Sequence, residues 1–197
     1  IVVTSSADNT ARIWDLDRER ELFTLTGHTN DVMCAAFRPD GDQIATASAD
    51  GSIRLWDVST GQETAKMEAH EAGAWRVDYT PDGKRLLSCG RGGKVKMWDA
   101  KTYELIHEFA AHDSHVEVVG VSPDGRLAAS GDVDGLICIY DLEEQKLIAT
   151  LPGHRNAIYD LAFYDDHLYT VSADRTIRRW DIDFETSPLT RALERLP

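Results

Sequence analysis

The stretch GHTNDVMCAAFRPDGDQIATASADGSIRLWD, residues 27–57, decides how the chain is read. Both of its ends recur. Trp14-Asp15, Trp56-Asp57, Trp98-Asp99, Tyr140-Asp141 and Trp180-Asp181 follow one another at steps of 42, 42, 42 and 40 residues. His28, His70, His112 and His154 are each 42 residues apart, and so are the Pro-Asp-Gly turns that begin at Pro39, Pro81 and Pro123. A fixed period of roughly 40–45 residues carrying several registered markers is the signature of an array of small β units.

One period can be read as physics. Val32 to Phe37 is a short apolar run without helical spacing, as expected of a strand buried on both faces. Pro39-Asp40-Gly41 is turn chemistry, in which proline presets φ and glycine accepts positive φ. Gln43 to Ser48 returns as a second strand, and Asp50-Gly51 is a two-residue hairpin signal. Ser52 to Asp57 alternates, with Ile53 and Leu55 on one face and Arg54 and Trp56 on the other. A turn at Ser59-Thr60-Gly61 leads into a more polar fourth strand, Glu63 to Met67. The unit is a four-stranded antiparallel meander that cannot cover both its own faces, so neighbouring units must stack on it.

These markers resemble those of the tryptophan–aspartate (WD) repeat family of β-propellers, and the resemblance covers nearly the whole chain. It implies an all-β fold of four-stranded blades: an incomplete blade at 1–26, then blades at 28–68, 70–110, 112–152 and 154–197. Such rings close with about seven blades. The chain is therefore expected to be an incomplete arc of a larger ring, the alternative being a small ring closed by oligomerisation. Bare end blades would make self-association a hazard. In the last unit Tyr164-Asp165-Asp166-His167 replaces the proline turn and accounts for the 40-residue step. Ser187-Pro188 followed by Leu189, Leu193 and Leu196 at helical spacing predicts a C-terminal helix over about 187–196. The alternative there is a displaced outer strand.

Each good repeat contains a serine, a histidine and an aspartate, the cast of a nucleophilic triad. The family resemblance gives them another role, a structural hydrogen-bond tetrad carried here by His28, Ser48, Asp50 and Trp56 and by His154, Ser172, Asp174 and Trp180. Ser6, Asp8 and Trp14 remain of a tetrad in the first unit. The second unit has Gly90 and Gly92 at the serine and aspartate positions, and the third has Asp132, Asp134 and Tyr140. Recurrence in every repeat argues against a single catalytic copy, so no enzyme activity is expected. Asp132-Val133-Asp134-Gly135 starts like a calcium loop, but an apolar strand follows it. His112 and His115 lack a third ligand, and Gly90, Gly92 and Gly93 beside Arg91 lack the strand–loop–helix order of a phosphate loop. No metal and no cofactor is expected.

The net charge of −13 on 197 residues argues against nucleic acid as a partner. No apolar run of about 18 residues stands in the chain, so no membrane span is expected. Cys34, Cys89 and Cys138 lie in apolar runs of different repeats, which suggests core packing in a reducing, cytoplasmic setting. The expected function is a protein–protein interaction scaffold without catalysis. The resemblance implies that protein or peptide partners dock on the narrow face, where the inner strands begin. Its positions three and five residues after each repeat histidine are Asp31 and Met33, Gly73 and Trp75, His115 and Glu117, and Ala157 and Tyr159. A third position, before the hairpin, holds Ala49, Arg91, Val133 and Ala173. Of these, Asp31, Met33, Trp75, Arg91, His115, Glu117 and Tyr159 are the candidate partner-binding residues. The alternative for Trp75 and Tyr159 is packing between inner strands. Two further functional readings are a sensory or regulatory part of a longer multidomain signalling protein, kinase- or protease-linked, and, least supported, a propeller enzyme.

Overall fold

The structure is a computed structural model that describes residues 1–182 and the backbone of 191–195. Strands β1 (Val2–Ser5), β2 (Thr10–Asp15) and β3 (Arg20–Thr26) form a three-stranded antiparallel sheet. Four four-stranded antiparallel meanders follow. The first holds β4 (Val32–Phe37), β5 (Gln43–Ser48), β6 (Ser52–Asp57) and β7 (Glu63–Glu68). The second holds β8 (Ala74–Tyr79), β9 (Arg85–Gly90), β10 (Lys94–Asp99) and β11 (Leu105–Ala110). The third holds β12 (Val116–Val121), β13 (Leu127–Asp132), β14 (Leu136–Asp141) and β15 (Lys146–Pro152). The fourth holds β16 (Ile158–Tyr164), β17 (His167–Ser172), β18 (Ile177–Asp181) and β19 (Arg191–Arg195). Among the described residues there is no helix. The five sheets are propeller blades, and they do not close into a ring.

The core lies between sheets, as stacking requires. Ile53, Leu55 and Met67 of one blade pack on Val77, Leu86 and Trp98 of the next. Met97 and Phe109 meet Val116 and Tyr140; Ile137, Ile139 and Leu151 meet Ile158, Leu168 and Trp180. Trp56 packs back on Ala11 and Ile13 of the first sheet. Trp56, Trp98, Tyr140 and Trp180 thus each plug into the preceding blade. Emptying one such site costs about 3–5 kcal/mol. The inner strands β4, β8, β12 and β16 run side by side. Arg76 on β8 reaches past β12 to Asp160 on β16, at 3.0 Å, so the inner strands curve about a common axis.

The two end sheets are built differently from the middle ones. Every residue of β5 and β13 is buried, because both faces are covered. β2 and β17 alternate between buried and half-buried positions until the last residue of β17, as expected of a sheet covered on one face. The chain links successive blades through close backbone contact. Gly51, at φ +90°, lies so near the next blade that a Cβ would stand 2.4 Å from the His70 carbonyl oxygen; Gly93 meets the His112 carbonyl at 2.1 Å in the same way.

The expected C-terminal helix is corrected. Arg191–Arg195 runs antiparallel to β18, with Trp180 opposite Ala192, as a displaced outer strand. The free edge of β18 offers a ladder of backbone donors and acceptors, which outweighs three leucines at helical spacing. The Ser187-Pro188 cap signal lies outside the described residues. The shortened hairpin of the fourth blade is a two-residue turn, Asp165-Asp166, between the paired Tyr164 and His167, with Asp165 at φ 49°.

Candidate functional site

Each complete blade carries a buried polar chain. In the first, Trp56 Nε1–H donates to Thr46 Oγ1 at 2.9 Å. His28 Nε2 lies 2.7 Å from the same hydroxyl and Nδ1 lies 3.0 Å from Asp50 Oδ2. A carboxylate can only accept, so Nδ1 carries the proton and Nε2 accepts from the threonine hydroxyl. The proton order therefore runs from indole to hydroxyl to imidazole to carboxylate. Burial depresses the basicity of His28, against the opposing pull of Asp50, and favours the neutral ring. Burial pushes the Asp50 carboxyl up, but hydrogen bonds from Ser52, Thr29 N–H and His28 outweigh it and hold the group well below the usual carboxylate range. The fourth blade repeats the arrangement: Trp180 to Thr170 at 2.9 Å, Thr170 to His154 at 2.8 Å, His154 to Asp174 at 2.9 Å.

The hydroxyl in these chains is therefore Thr46, not Ser48, and Thr170, not Ser172. Strand residues two apart share a face, so the sequence allows either. Trp56 stands opposite Ile44, which puts Thr46 at the diagonal position within indole reach and Ser48 beyond it. Ser48 instead donates to Asn30 O at 3.0 Å and accepts from Asp50 N–H at 3.0 Å, tying the entry loop to the hairpin. Ser172 does the same with Asn156 and Asp174. In the first sheet Trp14 donates to Thr4, not Ser6.

The middle blades also differ from the sequence reading. The third has a complete chain: Tyr140 and His112 meet on Ser130 at 2.8 and 2.6 Å, and His112 Nδ1 meets Asp132 at 2.8 Å. Asp132 takes the acid role two residues ahead of the usual place and also accepts from Asp134 N–H and Leu136 N–H. His112 thus has both nitrogens committed, and among the described residues no group of three metal-ligating side chains is assembled. The second blade keeps Ser88, which accepts from Trp98 at 2.9 Å and lies 2.9 Å from His70 Nε2. Its acid is missing.

Above this buried layer lies a rim built from the backbone. Each inner strand contains one extra residue relative to its partner. Val32 pairs Ser48 while Cys34 pairs Ala47, leaving Met33 as the bulge. The same shift isolates Trp75, Glu117 and Tyr159. A bulge re-aims the extra side chain and ends regular pairing. The rim is closed by a repeated backbone bond: the Ala49, Arg91, Val133 and Ala173 N–H groups donate to the carbonyls of Asp31, Gly73, His115 and Ala157, at 2.9 to 3.1 Å. The three candidate positions of each blade are thus brought together.

The rim is not uniform. Tyr159 is 63 % exposed and Met33 43 %, whereas Trp75 is half-buried beneath Arg91, whose guanidinium carbon lies 5.1 Å from the ring centre. Trp75 Nε1 is buried and has no hydrogen-bond partner among the described residues. Burial pushes the Glu117 carboxyl up, while His115 and Arg91 pull it down. Asp31 is half-buried and His115 exposed. Nothing in the sequence announced the bulges; the one sign was that position five after the histidine held Met, Trp, Glu and Tyr, four side chains with no common chemistry.

Comparison with known proteins fits this architecture. The family model described as WD domain, G-beta repeat matches residues 1–15, 19–57, 61–99, 103–141 and 145–181. Ribosome assembly protein 4 of Saccharomyces cerevisiae is 52 % identical to this chain over 44 residues, which is 22 % of this chain and 8 % of that protein. Ribosome assembly protein 4 of Chaetomium thermophilum is 52 % identical over 40 residues, 20 % of this chain and 8 % of that protein. Each match is about as long as the 42-residue period.

Proposed function

The chain belongs to the WD domain, G-beta repeat family, and from that premise we propose that it is a non-catalytic, cytoplasmic scaffold that binds protein or peptide partners on the rim where its inner strands begin. The observation that carries this reading is the repeated bulge, which turns Met33, Trp75, Glu117 and Tyr159 out of the ladder on one side of the blades. Tyr, Trp and Arg side chains dominate binding energy when a partner desolvates them. Here Trp75, Tyr159 and Arg91 supply those types, Met33 adds an adaptable apolar contact, and Glu117 and His115 give a polar centre.

Absence of catalysis is supported by the buried chains. The Thr46, Ser88, Ser130 and Thr170 hydroxyls are fully buried, and each is engaged by an imidazole and by an indole or phenol. No substrate reaches such an oxygen without opening the blade. The ribosome assembly proteins match over about one repeat, which supports the repeat architecture; it does not carry their role to this chain.

Photo-cross-linking from the rim tests the proposal. A benzophenone side chain at position 159 should trap protein partners from cell extract, while the same group at Asp82, in a loop of the second blade far from the rim bulges, should not. Equal yields from both positions would refute it.

A further inference from the structure

In the first and fourth blades two donors converge on one carboxylate oxygen. His28 Nδ1 and Thr29 N–H both lie 3.0 Å from Asp50 Oδ2. His154 Nδ1 and Arg155 N–H lie 2.9 and 3.1 Å from Asp174 Oδ2. The second blade has both donors without the acid. His70 is only 4 % exposed, its Nε2 is committed to Ser88, and its Nδ1 has no partner among the described residues. The neighbouring Glu71 N–H has none either. The residue at the acid's place is Gly92, whose φ of +103° turns the hairpin differently and beside which a Cβ would meet nothing within 4 Å.

A cleft of about 180 Å³ opens at this point, lined by His70, Glu71, Arg91, Gly92, Lys94 and Lys96. Three cations around one small cleft stand out in a chain with a net charge of −13. They are only partly neutralised. Lys94 pairs with Glu108 at 2.6 Å; Lys96 donates to the Ala69 carbonyl at 2.7 Å and lies 3.6 Å from Glu108. Arg91 rests over Trp75 with no carboxylate in salt-bridge range among the described residues. Among the lining residues the one acid is Glu71. Burial, and then Lys96, lowers the basicity of His70 to about 4, as befits an imidazole without its carboxylate.

We propose that the second blade takes an aspartate or glutamate side chain of a partner peptide into this cleft, where its carboxylate accepts from His70 Nδ1 and Glu71 N–H as the resident aspartates do in the first and fourth blades. The proposal rests on the reading of the chain as a peptide-binding scaffold and names the chemistry of one contact. Arg91 joins it to the rim: the guanidinium covers Trp75 on one side and borders the cleft on the other. A carboxylate is favoured over other anions because the donor pair already fits one in the sister blades. An acidic side chain inserted here would complete the second blade's buried chain, so binding and blade rigidity are coupled.

The test is an NMR titration of the histidine-¹⁵N-labelled chain with N-acetyl-aspartate N-methylamide. The expected result is a saturable shift of the His70 imidazole, a rise in the pH at which His70 takes up a proton, and no change at His28 or His154. The corresponding asparagine amide should leave His70 unmoved, and inorganic phosphate should bind more weakly. Charge reversal at the exposed Arg91 and Lys94 (R91E with K94E) should weaken the aspartate probe by roughly tenfold, with folding checked by an unchanged His112 resonance. An unmoved His70, an equal response to the asparagine amide, tighter binding of phosphate or full binding by the double variant would each overturn the proposal. Because the readout is His70 itself, its failure is separate from any failure of partner capture at Tyr159.

Discussion

The indole of Trp56 and the hydroxyl of Thr46 meet at 2.9 Å across two strands whose register places them diagonally, and that single contact fixes where the rest of the buried chain must lie. Removing the hydroxyl while keeping the shape leaves the Trp56 N–H and His28 Nε2 without a partner. Thr46→Val should therefore cost about 1–3 kcal/mol in urea unfolding. Ser48→Ala, which frees only the Asp50 N–H and the Asn30 carbonyl near the surface, should cost less. The reverse order would restore Ser48 to the chain.

Of the three complete blades covered on both faces, the second should be the most weakly held. His28→Ala breaks a chain ending on a carboxylate, whereas His70→Ala breaks one that stops at the ring. Parallel melts should show the larger loss for His28→Ala. Hydrogen exchange should be fastest, among those three blades, in residues 70–110.

Acid should destabilise the chain through His70. Its folded form resists protonation until about pH 4, while the unfolded ring titrates near 6.5. Between those values the unfolded state binds more protons, so stability falls as pH falls. The penalty is nearly absent above the unfolded value and fully present below the folded one. His70→Gln, which keeps a donor or acceptor for Ser88 without the titration, should flatten the difference in stability between pH 7 and pH 4 by about 3 kcal/mol. An unchanged slope would mean that other groups carry the acid sensitivity.

Among the described residues nothing covers the outer face of the fourth sheet, and this predicts concentration-dependent association of the 197-residue chain. Tyr169 and Val171 are half-buried where their counterparts in β5 and β13 are fully covered. Light scattering should show oligomers that dissociate on dilution, and Val171→Lys should shift the balance toward monomer. A monomer at all concentrations would contradict this.

Much of this was legible in the chain because the 42-residue spacing fixes which residues are equivalent, and equivalence fixes the meander. What spacing cannot fix is a shift of two along a strand, since Thr46 and Ser48 share a face; only the position opposite Trp56 separates them. Asp132 was hidden for the same reason, taking the acid role from the position two residues earlier. The outer strand at Arg191–Arg195 does not follow from the leucine spacing, because that spacing is local information while the edge of β18 is tertiary. The bulges at Met33, Trp75, Glu117 and Tyr159 leave no length change in the repeat; beyond four unlike side chains at one position, it is the backbone register that shows them.

If the bulged side chains are the docking surface, removing two of them should sharply weaken peptide capture without loss of stability. Peptides selected by display against the wild-type chain should be assayed for binding to a Met33→Asp, Tyr159→Asp variant whose melting midpoint matches the wild type. Both side chains are exposed, so the fold should tolerate the change. Loss of about 2 kcal/mol or more of binding, at unchanged stability, is the predicted result. Peptides that bind the variant as tightly as the wild type would show that the docking surface lies elsewhere.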